Sequence, residues 1–226
     1  MIERAEWLDE IQPESIDTLA VLGRGKGDTA LHRGEVAAEI VARMPEGSNV
    51  IFCGGNSWNE DPSGSEISES DIALDAALLQ LTGQSTLYNS RCQDFRITNG
   101  VTLLNERRSR STIENLCNAA DILTMRNILP RRMAIMSDDL HFRYHRPTNA
   151  ARLVFPQAEI VDIALEREHS ARDIVEEWLI TKGTNFFMRD VKPGDHAAIR
   201  KQQLAFENAN RKVRAIAGRP LRVFGK

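Results

Sequence analysis

The chain has 226 residues, 42% of them hydrophobic and 27% charged, with 29 basic against 32 acidic side chains and a formal charge of −3. A chain of this size buries roughly 70% of the surface its unfolded form exposes, and the composition excludes disordered, collagenous and disulfide-built classes. The slight acidity argues against a dedicated nucleic-acid binder and leaves room for a local basic pocket that takes a small anion.

Residues up to Ser15 read as a short helix that packs through Trp7, Leu8 and Ile11. Asp17 to Gly23 is a short apolar run ending in glycine, the pattern of a buried parallel strand. Thr29 to Met44 follows at helical period, and Pro45 and Gly47 stop it. Asn49 to Gly54 is a second strand that ends in glycine, and Asn56 to Gly64 is a loop rich in Gly, Pro, Asn and Ser. Ser68 to Thr82 is helical, with Ser68 as cap and Asp71 closing a variant capping box.

Gly83 to Gly100 shows no clear period and reads as an insertion or a loop near the site. Val101–Asn105 is a third strand, Ser111–Asn127 a helix, and Arg132–Ser137 a fourth strand. His141–Phe155 is mostly helical, with a late start or a kink at Pro147. Ala158–Ala164 is a fifth strand, and two helices separated by Asn185–Gly194 lead to a basic tail. Trp178, Leu179, Phe186, Phe187 and Phe206 on these last helices pack across the sheet, or form a lid or a homodimer surface. The expected divisions are an N-terminal helical segment (1–16), an α/β domain (17–168) and a C-terminal helical extension (169–226).

The amino terminus has no apolar signal-peptide core. No apolar run approaches the ~20 residues of a membrane helix. Cys53, Cys92 and Cys117 are odd in number, far apart and form no CxxC pair, which suits free thiols in a reducing compartment. A cytoplasmic protein without membrane or nucleic-acid partners is expected.

Strand alternating with helix about five times argues for an α/β fold with a mostly parallel sheet and helices on both faces. In such sheets ligands bind outside the carboxyl ends of the strands, so the residues just after each strand are the candidates. After the first strand, Gly23, Arg24, Gly25 and Lys26, with Arg33 on the following helix, form a glycine turn that suits an anion. The segment meets neither the GxGxxG nor the Walker pattern. After the second come Gly54, Gly55 and Asn56, then Glu69, a general base or a hydroxyl-binding carboxylate.

After the third strand, Glu106, Ser109, Arg110, Ser111 and Thr112 crowd a helix start. Hydroxyls, guanidinium forks and helix amides suit a phosphate or carboxylate, and Ser111 with Glu114 also reads as a plain capping box. Glu106 shares with Glu69 the role of orienting the proton carrier or activating water. After the fourth strand, His141 is a natural general acid or base. His141 and His145 share a helical face if the helix has begun there. A metal held by these histidines with Asp138 or Asp139 is the lesser reading, because the motif lacks the Glu of a zincin. His32, His169 and His196 read as surface or cap residues.

In order and spacing, Val21-Leu22-Gly23, Gly54-Gly55, Ser68-Glu69, Glu106 with Ser109, Thr112, Glu114 and Asn115, and Ser137 with His141 resemble the YdcF/SanA/ElyC family. The likeness covers Asp17 to Ala164. It implies a Rossmann-like three-layer α/β sandwich and adds Asn115, Ser137 and Arg143 to the ligand-binding candidates. Family members are linked to bacterial envelope biogenesis, one branch binds S-adenosylmethionine, and no reaction is assigned to the family as a whole. The chain departs from the pattern at Ser111, where asparagine is usual, and at Arg143, which falls two residues after His141 instead of three. It also lacks the membrane anchor of the SanA and ElyC branches.

Two function classes follow. One is an enzyme that hydrolyses, or transfers a group on, a phosphorylated or nucleotide-like small molecule. The other is a non-catalytic nucleotide or S-adenosylmethionine binding protein that uses the same pocket. An S-adenosylmethionine-dependent transferase is a third, weakened because Cys53-Gly54-Gly55 stands where an acidic ribose ligand is usual. The cofactor stays open between S-adenosylmethionine and a divalent metal.

Overall fold

A computed structural model describes residues 4–23, 28–55, 67–85, 94–109 and 111–217. The two apolar runs that precede glycines become strands β1 (Thr18–Leu22) and β2 (Asn49–Cys53), buried at every position. Neither run alternates, because a strand covered on both faces has no side to turn to water. Parity sorts their side chains between two cores. Leu19, Val21, Val50 and Phe52 join one, and Ala20, Leu22, Ile51 and Cys53 join the other.

Four more strands complete the sheet: β3 (Asp94–Arg96), β4 (Thr102–Glu106), β5 (Arg132–Asp138) and β6 (Glu159–Leu165). Their order is β3-β4-β2-β1-β5-β6, and β3 is antiparallel to β4 while the other pairings are parallel. The five expected parallel strands are all present. The sixth, β3, arises in the stretch that carries no readable period.

Among the described residues there are eight α-helices. The first, α1 (Arg4–Ile11), leads through a 3-10 turn at Pro13–Ser15 into β1. On one face of the sheet lie α2 (Asp28–Val41) and α3 (Glu69–Thr82), which share a core with β1, β2, β4 and β5. They approach closely because α2 carries Gly34, where a Cβ would run into the Ala73 backbone and the Ala76 methyl group. The other face is covered by α4 (Thr112–Met125). The whole is a three-layer α/β sandwich of Rossmann-like type.

The stretch after β5 divides in two. A single turn, α5 (Asp139–Arg143), ends before His145, which sits in the left-handed region at φ 57°, and α6 (Arg146–Val154) begins there. Pro147 lies in the first turn of α6, where its missing N–H costs nothing. His145 is exposed and His141 buried, so the two histidines do not share a helical face as expected.

After β6 come α7 (Ala171–Met188) and α8 (His196–Ala217). They pack together where Gly183 faces Phe206; a Cβ on Gly183 would come 2.5 Å from that ring. Phe187 meets Phe206 with the rings tilted and their centroids 5.6 Å apart, while Trp178, Leu179 and Phe186 remain exposed. No helix among the described residues is long and apolar enough to cross a membrane.

Candidate active site at the carboxyl edge of the sheet

The chain runs from β1 through β2 to β4 in one direction, then returns past β1 to lay down β5 on its other side. The crevice of an open α/β sheet lies at such a reversal, outside the carboxyl ends of the two flanking strands. Here those ends are Gly23 after β1, and Ser137 and Asp138 closing β5.

On the β1–β2 side, Gly23 N–H donates to the Cys53 carbonyl at 2.6 Å. A Cβ on Gly23 would lie 2.6 Å from Glu69 Oε2, and one on Gly54 would lie 3.2 Å from the same oxygen. Gly54 also sits at φ +143°, a conformation side chains resist. The bare backbones therefore let the Glu69 carboxylate press against the ends of two strands, where it is buried. Glu69 opens α3 directly after Ser68, whose hydroxyl accepts the Asp71 N–H while Asp71 accepts the Ser68 N–H, so the expected capping box forms completely. Asp71 is also held by Asn105 Nδ2 at 2.6 Å and by Arg107 at 3.0 Å.

After β4 the carboxylate of Glu106 organises the loop. Its Oε1 accepts the N–H groups of Arg108 at 2.7 Å and Ser109 at 3.1 Å, and Nδ2 of Asn118 at 3.0 Å. Its Oε2 accepts the Ser109 hydroxyl, and that hydroxyl also contacts the Asn115 side-chain amide. Gly55 completes the join by donating to the Ser109 carbonyl at 2.8 Å; a Cβ there would strike the carbonyls of Arg107 and Ser109. Glu106, Ser109 and Asn115 are thus buried and turned on one another. They shape the rim. Ser111 and Thr112 start α4 and are half-buried. Ser111 Oγ accepts the Glu114 N–H at 3.2 Å, and this is the half of the expected box that forms. The same oxygen accepts Nε2 of Gln203 on α8 at 3.1 Å.

On the β5 side, Ser137 Oγ lies 2.7 Å from Nδ1 of His141, both groups buried. The other ring nitrogen, Nε2, lies 3.7 Å from Glu177 Oε2 on α7. Arg146 reaches the same carboxylate, with Nε 2.6 Å from Oε1 and a terminal nitrogen donating to Oε2 at 3.0 Å. The neighbouring Asp138 is paired with Arg33 of α2 at 2.5 Å in an ion pair excluded from water, and its second oxygen lies 3.6 Å from Arg167. Asp139 takes His169 at 2.6 Å and Arg143 at 3.5 Å.

The sequence-derived candidates therefore fall into groups. Gly23, Gly54, Gly55 and Glu69 converge beside β1 and β2, while Ser137 lies at the end of β5 and His141 on α5. Ser109, Asn115 and Glu106 lock the β4 loop. Arg33 is committed to Asp138, and Arg143 is exposed beside Asp139. Arg24, Gly25, Lys26, Asn56 and Arg110 lie outside the described residues.

The sequence reading passed over Glu177, Arg146 and the partnership of Asp138 with Arg33. Glu177 left one trace, a carboxylate on the helical face that also carries Ile180, Thr184 and Met188, all buried. His169, expected as a cap or surface group, is instead drawn in by Asp139.

Burial pushes the Cys53 thiol well above its ordinary range, with the Glu106 charge adding to it. Burial likewise raises Cys117 to about 11. Neither thiol is a nucleophile at neutral pH. Among the described residues no group of three or more His, Cys, Asp or Glu side chains is arranged to hold a metal ion. No family model, curated protein or solved structure matches the chain.

Proposed function

We propose that this protein is an enzyme that binds a phosphorylated or nucleotide-like small molecule at the carboxyl edge of its parallel sheet and acts on it by hydrolysis or group transfer. The observation that carries the reading is the Ser137 hydroxyl 2.7 Å from His141 Nδ1 at the end of β5, beside the strand reversal. A hydroxyl in hydrogen-bond reach of an imidazole, with a third group behind the ring, is the signature of a proton-transfer site. Glu69 supports it from the other side of the crevice, where it stands over Gly23 and Gly54.

The anion-holding part lies farther along the edge. Ser111 and Thr112 begin α4, and Arg107 and Arg108 are exposed on the preceding loop. β4 and β5 are three places apart in the sheet, which at the usual strand spacing is about 14 Å. A nucleotide-sized ligand spans that distance, with its phosphate over α4 and its reacting end near His141; inorganic phosphate does not. The free thiols of Cys53 and Cys117 suit the cytoplasm.

The test begins with native mass spectrometry of the purified protein to find what co-purifies, followed by a phosphatase and nucleotide panel. On the compound turned over, His141→Gln should lower kcat by about 10²–10⁴-fold, the usual worth of a general acid or base, with the ligand Kd unchanged. Binding without turnover by the wild type, or loss of affinity alone in the variant, identifies a binding module instead.

A further inference from the structure

We propose that Glu177, on the C-terminal helix α7, is a positioning residue for His141, and that Ser137, His141 and Glu177 form one proton relay closed by an element outside the α/β unit. The inference rests on the reading that His141 moves the proton of the reaction.

All three side chains are nearly inaccessible to water, with 0%, 3% and 1% of Ser137, His141 and Glu177 exposed. A neutral imidazole carries its hydrogen on one nitrogen only. An ionised carboxylate can only accept. Facing Nε2 at 3.7 Å, Glu177 therefore favours the tautomer with hydrogen on Nε2. That leaves the Nδ1 lone pair for the Ser137 hydroxyl at 2.7 Å. The carboxylate thus makes His141 a base toward Ser137 rather than a donor to it. Because 3.7 Å exceeds a direct hydrogen bond, Glu177 acts through its charge, which favours the imidazolium.

The proton balance is simple. Ser137 Oγ is closed to solvent, so the donor is a water or hydroxyl that a bound ligand places against it; as that donor gives its proton to Oγ, the proton already on Oγ passes to Nδ1. The serine ends neutral, the ring ends as imidazolium, and the positive charge faces Glu177. Arg146 fixes the carboxylate from behind through both of its oxygens. Among the described residues, the neighbouring charges on β5 and α5 have other partners. On β5, Asp138 faces Arg33 of α2 and Arg167, and on α5, Asp139 faces His169 and Arg143. Among the described residues, Glu177 is the carboxylate within ion-pair distance of the His141 ring.

If Glu177 only docks α7 by pairing with Arg146, His141 should not sense it. The experiment is a pH titration of the ring-¹⁵N-labelled full-length protein by NMR. The chain has five histidines, so His141→Gln assigns the signal. The expected wild-type spectrum shows hydrogen on Nε2 at high pH. Glu177→Gln should lower the His141 midpoint by roughly one pKa unit or more, and Glu177→Asp should restore part of the shift. A wild-type ring with its hydrogen on Nδ1 overturns the proposal, whatever Glu177→Gln does to folding. So does a midpoint unchanged in Glu177→Gln. Turnover that survives His141→Gln would instead overturn the underlying functional reading and leave the tautomer result standing.

Discussion

Arg33 is the largest of the fully buried side chains, and its charge is met by Asp138, 105 residues away in the chain. In a dry interior each member of such a pair depends on the other, and removing one strands a charge at a cost of about 3–5 kcal/mol. Arg33→Leu should lose stability of that order in urea unfolding. The double variant Arg33→Leu with Asp138→Leu should recover most of it, because the buried pair is then removed whole. An Arg33→Leu variant as stable as the parent would show that water reaches the pair. The pairing also bears on function. The guanidinium holds Asp138 and so fixes the end of β5 next to Ser137.

At the scale of elements, the contact between α2 and α3 is set by one missing methyl group. Gly34 has the Ala73 carbonyl and the Ala76 side chain where its own Cβ would be. Gly34→Ala gains helix propensity but overpacks the seam, and the second effect prevails at about 1–3 kcal/mol. A lower melting temperature for Gly34→Ala, and a lower one still for Gly34→Val, is the expected order. A rise in either would show that the helices separate freely.

The strands were readable because a doubly covered parallel strand is apolar through its body and turns sharply where it leaves the sheet; after their first residues, Thr18 and Asn49, β1 and β2 do both. The short edge strand β3 was unreadable for the opposite reason. It has three residues, exposes Asp94 and Arg96, and owes its existence to β4 alongside. The break between α5 and α6 was half readable, since Pro147 marked a boundary but nothing local announced the left-handed turn at His145. Of the candidate site, glycines and rim carboxylates could be placed from the order of strands. The Arg33–Asp138 and His141–Glu177 pairs could not, because they join positions that only the finished packing brings together.

For the whole molecule, the C-terminal helices are tied into the α/β unit by polar side chains as well as by packing. Arg200 of α8 donates to Asn118 on α4 at 2.9 Å and pairs with Asp121 at 2.5 Å. Asn118 in turn donates to Glu106, so α8 is two bonds from the loop after β4. Gln203 holds Ser111, and α7 supplies Glu177. The parts should therefore melt together. A single calorimetric transition, with equal calorimetric and van't Hoff enthalpies, is expected. Two resolved transitions would mean that residues 169–226 fold as a separate unit.

The borders of the sheet have a consequence for how copies of the molecule meet. A long flat outer strand would present peptide groups ready to zip onto a neighbouring chain. On one border stands the three-residue β3, with Asp94 engaged by Arg126 and Arg96 lying 3.5 Å from Glu46. On the other, β6 carries exposed Glu159, 3.4 Å from Arg132, and Asp162, held by the Thr148 hydroxyl. Crowded together, these molecules would meet charge before backbone along β3, which discourages strand-to-strand pairing on that border.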